Sequence, residues 1–351
     1  MKNSGTWSSY CPVNITSESE KIQLAHGEGA RATRQLIRKL IEPRFSIGSH
    51  LADAAWLEHP SEHLAVATDS HTVHPLFFPG GDIGSLSVYG TVNDLAVSGA
   101  KARWLTLSLV IEEGLPIAVL ECVLDSVAEA AKRCEVSVIC GDTKVMPQGA
   151  VDGLVLNTTG IGQAMRFIPA GPDTIESTDC IIASGPLGQH GIAVMSAREE
   201  FSFSAPPVSD TAPLTDSVEA LLFAAGDSVR AIRDATRGGV SAVLHEWAES
   251  GACSFELKQS QLPVSETVKG ACEVLGLDPL YVANEGVFVA AVAKKDAEAA
   301  VAALQKLPIS REATVVGQAG EPGMTPVTIR RILGAAQPLD EPSGAPLPRI
   351  C

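Results

Sequence analysis

The sequence is poor in basic and aromatic residues, and it has no long uninterrupted apolar segment. Its 351 residues include 26 Lys and Arg against 41 Asp and Glu, a net charge of −15, and only 5% are aromatic. This charge argues against a nucleic-acid-binding protein, because phosphate contacts need clustered Lys and Arg. No stretch approaches the roughly 18 apolar residues of a bilayer-crossing helix. Residues 1–20 are polar and lack a signal-peptide pattern, so we expect a cytoplasmic protein that binds neither nucleic acid nor membrane.

Cysteine spacing excludes the commonest cysteine-based sites. The eight cysteines are spread along the chain without any C-x-x-C pair, whereas metal sites and redox motifs usually place two ligands close together. A disulfide framework is not expected, because a chain of this length needs no covalent cross-links and a cytosol would reduce them. Most of these thiols stand in apolar sequence and are interpreted as small core residues. Cys351 differs, because it is the last residue of the sequence.

Short apolar segments alternate with helical patterns in two successive halves. Strands are predicted at residues 64–68, 104–111, 136–140, 154–161, 180–184 and 287–292 and near residues 255, 315 and 327. Helices are predicted at residues 84–97, 116–132, 192–198, 214–224, 240–250 and 296–307. This mixture predicts an α/β (α+β) fold with an extension at residues 1–21 and domains at 22–168 and 169–333. Frequent proline then predicts a flexible, semi-extended tail at 334–351, which could carry the terminal thiol into a pocket.

Three aspartates stand at predicted strand ends and turns: Asp69, Asp94 and Asp142. Loops after strands often hold the working residues of α/β enzymes. Converging aspartates would suit Mg²⁺, which takes oxygen ligands and usually bridges substrate phosphates. A helix cap or a turn explains each of them singly, so only the three together favour a metal site.

Glycines form a second candidate set, namely Gly27 and Gly29, Gly80 and Gly81, and Gly238 and Gly239. Glycine lets backbone N–H groups approach an anion closely. The sequence has neither a P-loop nor a G-x-G-x-x-G motif after a strand, so a nucleotide site would be of another type. Spacing alone does not separate these loops from ordinary tight turns.

Lys144 follows Asp142 at a strand end, and Glu285 precedes the apolar strand at 287–292. A partly buried Glu has a raised pKa and can act as a general base, and a Lys can neutralise phosphate charge. A structural Glu–Lys ion pair is the alternative on composition alone. The scattered histidines, His26, His190 and His245, are interpreted as surface or packing residues.

Nine segments taken together point to one family. They are residues 24–27 (LAHG), 68–70 (TDS), 75–81 (PLFFPGG), 93–100 (NDLAVSGA), 112–116 (EEGLP), 141–145 (GDTKV), 234–240 (DATRGGV), 284–286 (NEG) and 348–351 (PRIC). With them the chain resembles, from about residue 22 to its end, the HypE family of hydrogenase maturation factors. These are carbamoyl dehydratases of the aminoimidazole-ribonucleotide-synthetase-like (PurM-like) ATP-binding superfamily. The chain departs from the family pattern at Ala30, Gln189 and Val287, none of which removes a carboxylate, lysine or thiol central to the chemistry.

The resemblance implies a two-domain PurM-like homodimer that binds ATP mainly through its N-terminal domain, near the dimer interface. It implies that a carbamoyltransferase, HypF, loads a carbamoyl group onto the terminal thiol. ATP-dependent dehydration then gives a thiocyanate, and its cyano group passes to iron held by the HypC–HypD complex, for the nickel–iron hydrogenase centre.

The resemblance also implies a role for each matching residue. Cys351 is the covalent carrier, Glu285 the base, and Lys144 a stabiliser of phosphate charge together with Mg²⁺ held by Asp69, Asp94 and Asp142. The residues expected to bind ATP are Gly27, Gly29, Asp69, Asn93, Asp94, Asp142, Thr143, Asp234 and Arg237. Two alternatives remain: another ATP-dependent PurM-like enzyme of cyclo-ligase or kinase type, which leaves Cys351 unexplained, and a non-catalytic assembly partner.

Overall fold

The computed structural model describes residues 10–13, 20–27, 35–45, 63–198, 207–250, 253–332, 334–341 and 350. The first half contains a short 3-10 helix, Leu24–Gly27, and a short π-helix, Ile37–Ile41. Its strands are β1 (Leu64–His71), β2 (Phe77–Phe78), β3 (Gly81–Asp82), β4 (Ala100–Glu112), β5 (Ser137–Met146) and β6 (Leu154–Ala164). Its helices are α1 (Ile83–Val97) and α2 (Ile117–Arg133).

The first half is a four-stranded sheet with helices on one face. The strand order is β1-β6-β4-β5, with β4 and β5 parallel and the other neighbours antiparallel. Side chains alternate along β4, so Leu105, Leu107 and Leu109 lie in the core, and the residues between them face the other side. Asp82 starts α1 because its Oδ1 accepts hydrogen bonds from the N–H groups of Gly84 and Ser85.

The described residues of the second half form seven strands: β7 (Cys180–Ala183), β8 (Val229–Asp234), β9 (Ser254–Lys258), β10 (Phe288–Val292), β11 (Thr314–Gly320), β12 (Val327–Arg330) and β13 (Ala336–Pro338). Its helices are α3 (Gln189–Ser196), α4 (Thr215–Ala225), α5 (Gly239–Ser250), α6 (Glu266–Leu275) and α7 (Ala297–Leu304). The sheet order is β13-β12-β9-β11-β7-β10-β8. Alternate residues of the central strands enter two cores, so Ile182 and Ala290 share a core with α4 and α7, while Ile181 and Val289 pack with α5.

Helix α1 joins the two halves. It is buried on nearly all sides, which explains why it lacks the polar face of a surface helix. Its C-terminal residues Ala96 and Val97 lie in the same core as α4 and β10 of the second half. Any residue near the end of α1 is therefore close to both domains.

The predicted mixture of strands and helices is confirmed, with α1, α2 and α5 within one or two residues of the predicted helices. Strand β8 and helix α6 are not predicted by the sequence pattern. Strand β8 lies at the sheet edge, where Arg230 and Arg233 alternate with buried Val229 and Ala231, so it has no apolar run. No helix in the described ranges is long and apolar enough to cross a bilayer.

The beginning of the predicted tail is built into the second sheet. Residues 336–338 form β13, which pairs with β12, and Leu339 is buried in the hydrophobic core between the second sheet and α5. The Asp340 carbonyl accepts hydrogen bonds from the hydroxyls of Ser241 and Tyr281. The prediction of a free tail from residue 334 is thus wrong for residues 336–340, because edge pairing tolerates the proline that suggested a tail.

Candidate functional site

Two of the predicted magnesium ligands, Asp69 and Asp94, lie where α1 meets the second domain, together with Asp234, a predicted ATP contact. Burial raises the pKa of Asp94 to about 7, and the negative charges of Asp234 and then Asp69 add to this shift. Burial also raises the pKa of Asp234. These carboxylates are therefore close enough for each ionisation to oppose the next, which is the situation that a bound cation relieves.

His71, which the sequence analysis does not single out, completes one side of this group. Its Nε2 lies 3.5 Å from Asp69 Oδ2, and burial lowers its pKa despite the nearby carboxylate. The positive charge of Arg237 lowers the pKa values of both His71 and Asp94, so Arg237 lies near this group. The His71 ring fits only because residue 90 is glycine, since a Cβ at Gly90 would lie 2.7 Å from His71 Cε1. The sequence does contain a signal for His71, because it stands two residues after Asp69, and residues at this spacing along a strand share one face of the sheet.

Glu285 lies on a buried loop that is fixed at both ends. Its exposed fraction is 4%, which confirms the predicted burial. The Asn284 amide donates to the carbonyls of Ala235 (2.7 Å) and Val282 (3.1 Å), and its Oδ1 accepts from Gly188 N–H (2.7 Å). The loop is thereby attached to the residue that follows Asp234 at the end of β8.

Asp210 supports the same loop and is absent from the sequence-based candidates. Its Oδ2 accepts hydrogen bonds from the N–H groups of Glu285 (3.2 Å) and Gly286 (3.1 Å). A Cβ at Gly286 would lie 1.8 Å from the Asp210 carbonyl oxygen, so only glycine fits there. Burial raises the pKa of Asp210 to about 6, although the N–H donors oppose the shift. Its local sequence, Val-Ser-Asp-Thr between prolines, gives no sign of this role because it is typical of a turn.

Asn93 joins α1 to this loop. Its Nδ2 donates to the carbonyls of Glu285 (3.3 Å) and Ala212 (3.1 Å), and its Oδ1 accepts from Leu214 N–H (2.8 Å). Both amide protons are therefore used by the second domain's backbone. The structure gives Asn93, a predicted ATP contact, a role in joining the domains.

Asp142, Thr143 and Lys144 lie elsewhere, on edge strand β5. Asp142 shares a row across the sheet with Ser108, Asn157 and Ser70, and this row projects from the face opposite to the helices. Asp69 belongs to the next row and points to the helix-covered face, three strands away, or roughly 14 Å at about 4.8 Å per strand.

The predicted magnesium ligands Asp69, Asp94 and Asp142 are therefore not brought together within one chain. Across the described residues, no group of three or more His, Cys, Asp and Glu side chains is arranged to hold a metal ion. The physical reason is the alternation of side chains along strands, which places Asp69 and Asp142 on opposite faces.

Gly27 lies at the same edge of the sheet, because the turn Leu24–Gly27 lies against β5. Within that turn His26 Nδ1 accepts a hydrogen bond from Gln23 N–H at 3.0 Å. Gly29, Ala30 and Cys351 lie outside the described residues. The departures at Gln189 and Val287 are accommodated, since Gln189 begins α3 and Val287 is buried in the second domain's core.

Ile350 brings the end of the chain to this site. It is 3% exposed and packs with the hydrophobic core of the first domain. Its carbonyl oxygen lies 2.9 Å from His190 Nε2. In the same helical turn, Gly191 N–H donates to the Ala283 carbonyl at 3.1 Å. The residue before Cys351 is thus held by the helical turn that is hydrogen-bonded to the segment before Glu285.

Comparison with known proteins identifies the family. Residues 51–164 match the N-terminal domain of AIR synthase related proteins, and residues 177–329 match their C-terminal domain. Carbamoyl dehydratase HypE of Escherichia coli (strain K12) is 43% identical over 338 residues, which are 94% of this chain and 99% of that protein. The chain belongs to the HypE family of carbamoyl dehydratases.

Solved structures of the HypE family agree with the fold. A HypE structure in complex with ATP has a TM-score of 0.87 and 38% identity, and covers 94% of this chain and 99% of that one. HypE in a HypE–HypF complex has a TM-score of 0.77 and 42% identity, with coverage of 80% and 90%. The predicted two-domain PurM-like fold and the predicted enzyme class are confirmed.

Proposed function

We propose that this chain dehydrates a carbamoyl group carried on the thiol of Cys351, using ATP, and that the resulting thiocyanate supplies cyanide ligands for nickel–iron hydrogenases. The HypE relatives, one of them solved with ATP, support this function over the cyclo-ligase, kinase and assembly-partner alternatives. The single structural observation that carries it is the burial of Ile350 against His190, in the helical turn that is hydrogen-bonded to the loop before Glu285. This contact anchors the carrier end of the chain next to the loop that bears a buried carboxylate.

The overall reaction converts R–S–CO–NH₂ and ATP into R–S–C≡N, ADP and phosphate. The carbamoyl oxygen is a poor leaving group until it takes the terminal phosphoryl group. The carbamoyl nitrogen then loses its two protons as the C–O bond breaks, and the oxygen leaves with phosphate. The function of the protein is to hold this small group against a base and away from water.

Glu285 is suited to removing a proton from the carbamoyl nitrogen. Its backbone is held by Asp210 and Asn93, so the position of the carboxylate is set before the substrate arrives. It lies at the end of the loop that leads into buried strand β10. Cys351 supplies the sulfur, and only a thiolate is nucleophilic enough to accept the carbamoyl group during loading.

Asp69 and Asp94 fit the role of Mg²⁺ ligands, because their clustered charges favour a cation and Mg²⁺ in phosphate-transfer sites often uses only one or two carboxylates. When bound, Mg²⁺ would neutralise charge on the phosphate oxygens. Asp234 and Arg237 lie beside them, where Arg237 can contact a phosphate. Removing either ligand, as in Asp69→Asn, should raise the Mg²⁺ concentration needed for half-maximal activity.

A homodimer would bring Asp142 and Lys144 into use. They lie on the sheet face opposite to α1 and α2, and the same face exposes Leu64 (42%) and Val66 (66%) on β1. An apolar sheet face of this kind is a natural surface for a second copy. Lys144 of one chain would then stabilise the negative charge of phosphate bound to the other chain.

HypF is the proposed partner for loading, since a HypE relative has been solved with HypF. The HypC–HypD complex is the proposed acceptor of the cyano group, and we expect these reactions in the cytoplasm. These assignments follow from membership of the family.

The decisive test is mass spectrometry of the C-terminal peptide after incubation with carbamoyltransferase, carbamoyl donor and ATP. The wild-type peptide should first gain CONH in place of the thiol hydrogen and then lose one water. Cys351→Ala should bind ATP yet show neither change, and extra residues after Cys351 should slow water loss. A Cys351→Ala chain that still delivers cyanide ligands would show that the carrier assignment is wrong.

A further inference from the structure

His190, interpreted from sequence as a surface or packing residue, is fully buried in the first turn of α3. Its Nε2 lies 2.9 Å from the Ile350 carbonyl oxygen, and its Nδ1 lies 2.9 Å from Ser209 Oγ. A carbonyl oxygen can only accept, so Nε2 carries the proton and Nδ1 of the neutral ring accepts from the Ser209 hydroxyl. The two contacts together select one tautomer.

The surroundings keep the ring in that state. Ser209 Oγ accepts from Thr211 N–H at 3.1 Å and lies 2.6 Å from Thr211 Oγ1, which itself lies 3.3 Å from Nδ1. A hydroxyl of this pair can therefore donate to Nδ1 of His190. The Phe78 ring packs edge-on against the imidazole, with centroids 5.3 Å apart. Burial lowers the pKa of His190 to about 4, so the ring is neutral at pH 7.

The Ile350 carbonyl belongs to the peptide bond that joins Ile350 to Cys351. Four covalent bonds separate its carbon from the Cys351 sulfur, so fixing the carbonyl confines the thiol to within about 5 Å of that carbon. The Ile350 side chain adds a second attachment in the hydrophobic core.

The first turn of α3 connects this anchor to the Glu285 loop. Next to His190, Gly188 N–H donates to Asn284 Oδ1 at 2.7 Å, and Gly191 N–H donates to the Ala283 carbonyl at 3.1 Å. The helical turn that carries His190 is thus hydrogen-bonded to the loop that carries Glu285.

We propose that His190 is a positioning residue that holds the Ile350–Cys351 peptide, so that the carbamoylated thiol meets the Glu285 loop during dehydration. This inference rests on the function proposed above. The anchor is needed for dehydration and not for loading, because loading requires Cys351 to reach the active site of another enzyme. Variants of His190 should therefore separate the two half-reactions.

Two amide substitutions distinguish the ring nitrogens. In His190→Gln the side-chain amide reaches the place of Nε2 and keeps a donor for Ile350, whereas in His190→Asn the amide reaches only the place of Nδ1. His245→Asn is the matched control, because His245 is also buried but bonds through Nδ1 to the Ser241 carbonyl of its own helix. Each protein is loaded in a single turnover, and peptide 340–351, released by cleavage before Asp340, is weighed with and without ATP.

We expect loading to be the same in all four proteins. Water loss should slow at least about tenfold in His190→Asn, as for the loss of one buried hydrogen bond, and stay within about threefold of wild type in His190→Gln and His245→Asn. Alkylation of unloaded Cys351 by a bulky maleimide, read on the same peptide, should be correspondingly faster in His190→Asn. Wild-type water loss in His190→Asn, or an equal loss in His190→Gln, would overturn the proposal.

Two further measurements keep the result interpretable. If His190→Asn does not fold, Ser209→Ala removes the nearer of the two hydroxyls beside Nδ1, the other being Thr211 Oγ1 at 3.3 Å. This variant weakens the preference for one tautomer and should slow water loss by a smaller factor. If wild type itself loads but never loses water, the proposed dehydration fails. The alkylation comparison then still tests the anchor, since equal rates in wild type and His190→Asn would show that His190 does not hold the carrier.

Discussion

Two groups of site residues lie in contrasting surroundings in this chain. The interdomain group, defined as Asp69, Asp94, Asp234 and Glu285, is clustered at the domain junction, and burial raises the pKa values of Asp94 and Asp234. The β5 group, defined as Asp142, Thr143 and Lys144, lies on an edge strand, with Asp142 and Lys144 exposed. In the proposed function, one chain holds the proposed base and carrier in place, whereas Lys144, proposed to stabilise phosphate charge, lies on a face that the proposed homodimer would cover.

Within the interdomain group, removing the proposed base, Glu285, should give the largest effect. Glu285→Gln keeps the size of the side chain and the backbone contacts to Asp210 but removes the basic site. We expect water loss from the carbamoylated chain to fall by about 10²–10⁴-fold, with ATP binding largely unchanged. The mass of the C-terminal peptide should remain that of the carbamoyl form. Exposed Glu266→Gln is the control, and a near wild-type rate in Glu285→Gln would mean that another residue is the base.

Mixing two inactive variants tests whether the β5 group acts across a dimer. Glu285→Gln and Lys144→Ala chains, each nearly inactive alone, should recover about a quarter of wild-type activity when refolded together in equal amounts. Half of the dimers are then mixed, and each mixed dimer contains one site with both residues intact. If Lys144 acts within its own chain, every site carries one defect and no activity returns.

The sheet face opposite to α1 and α2 should determine the oligomeric state. Val66→Lys places a charge on that face, and we expect it to shift sedimentation from dimer to monomer and to lower ATP-dependent activity more than loading. Val274→Lys is the matched control, because Val274 is more exposed (81%) and lies on α6, away from this face. A dimer that persists in Val66→Lys would place the interface elsewhere.

The smallest expected effect concerns the free energy of unfolding, to which the buried side chains Asp210 and His190 contribute with opposite pH dependences. Asp210 has its pKa raised to about 6, so its contribution to the free energy of unfolding falls as the pH rises from about 4 to 6. His190 has its pKa lowered to about 4, so its contribution rises between about pH 4 and 6.5. Each amounts to an order of 3 kcal/mol at most, and in wild type the two largely cancel.

Single variants should reveal each dependence separately. Relative to wild type, Asp210→Asn should gain stability as the pH rises through this range, and His190→Gln should lose it. Urea unfolding at several pH values measures both, with exposed Asp227→Asn as the control. Parallel curves for all the variants would show that neither group titrates as described.

Much of the fold could be predicted because it depends on local pattern. Helix α2 has a clear polar and apolar face, and β4 alternates over its whole length, so each is recognisable without knowing its neighbours. Strand β8 was missed because its edge position, not its own sequence, permits the arginines. The buried position of Glu285 was also predictable, because the loop leads directly into a continuous apolar strand.

The sequence by itself determined the two α/β halves, the family and the residue types needed for dehydration, because these depend on motifs and short-range periodicity. The tertiary structure decided which of those residues share a site. Strand register places Asp69 and Asp142 on opposite faces. The contact between His190 and Ile350 joins residues 160 positions apart. Asp210 supports the Glu285 loop only because folding buried it beneath the Gly286 backbone, and no local pattern encodes contacts of that range.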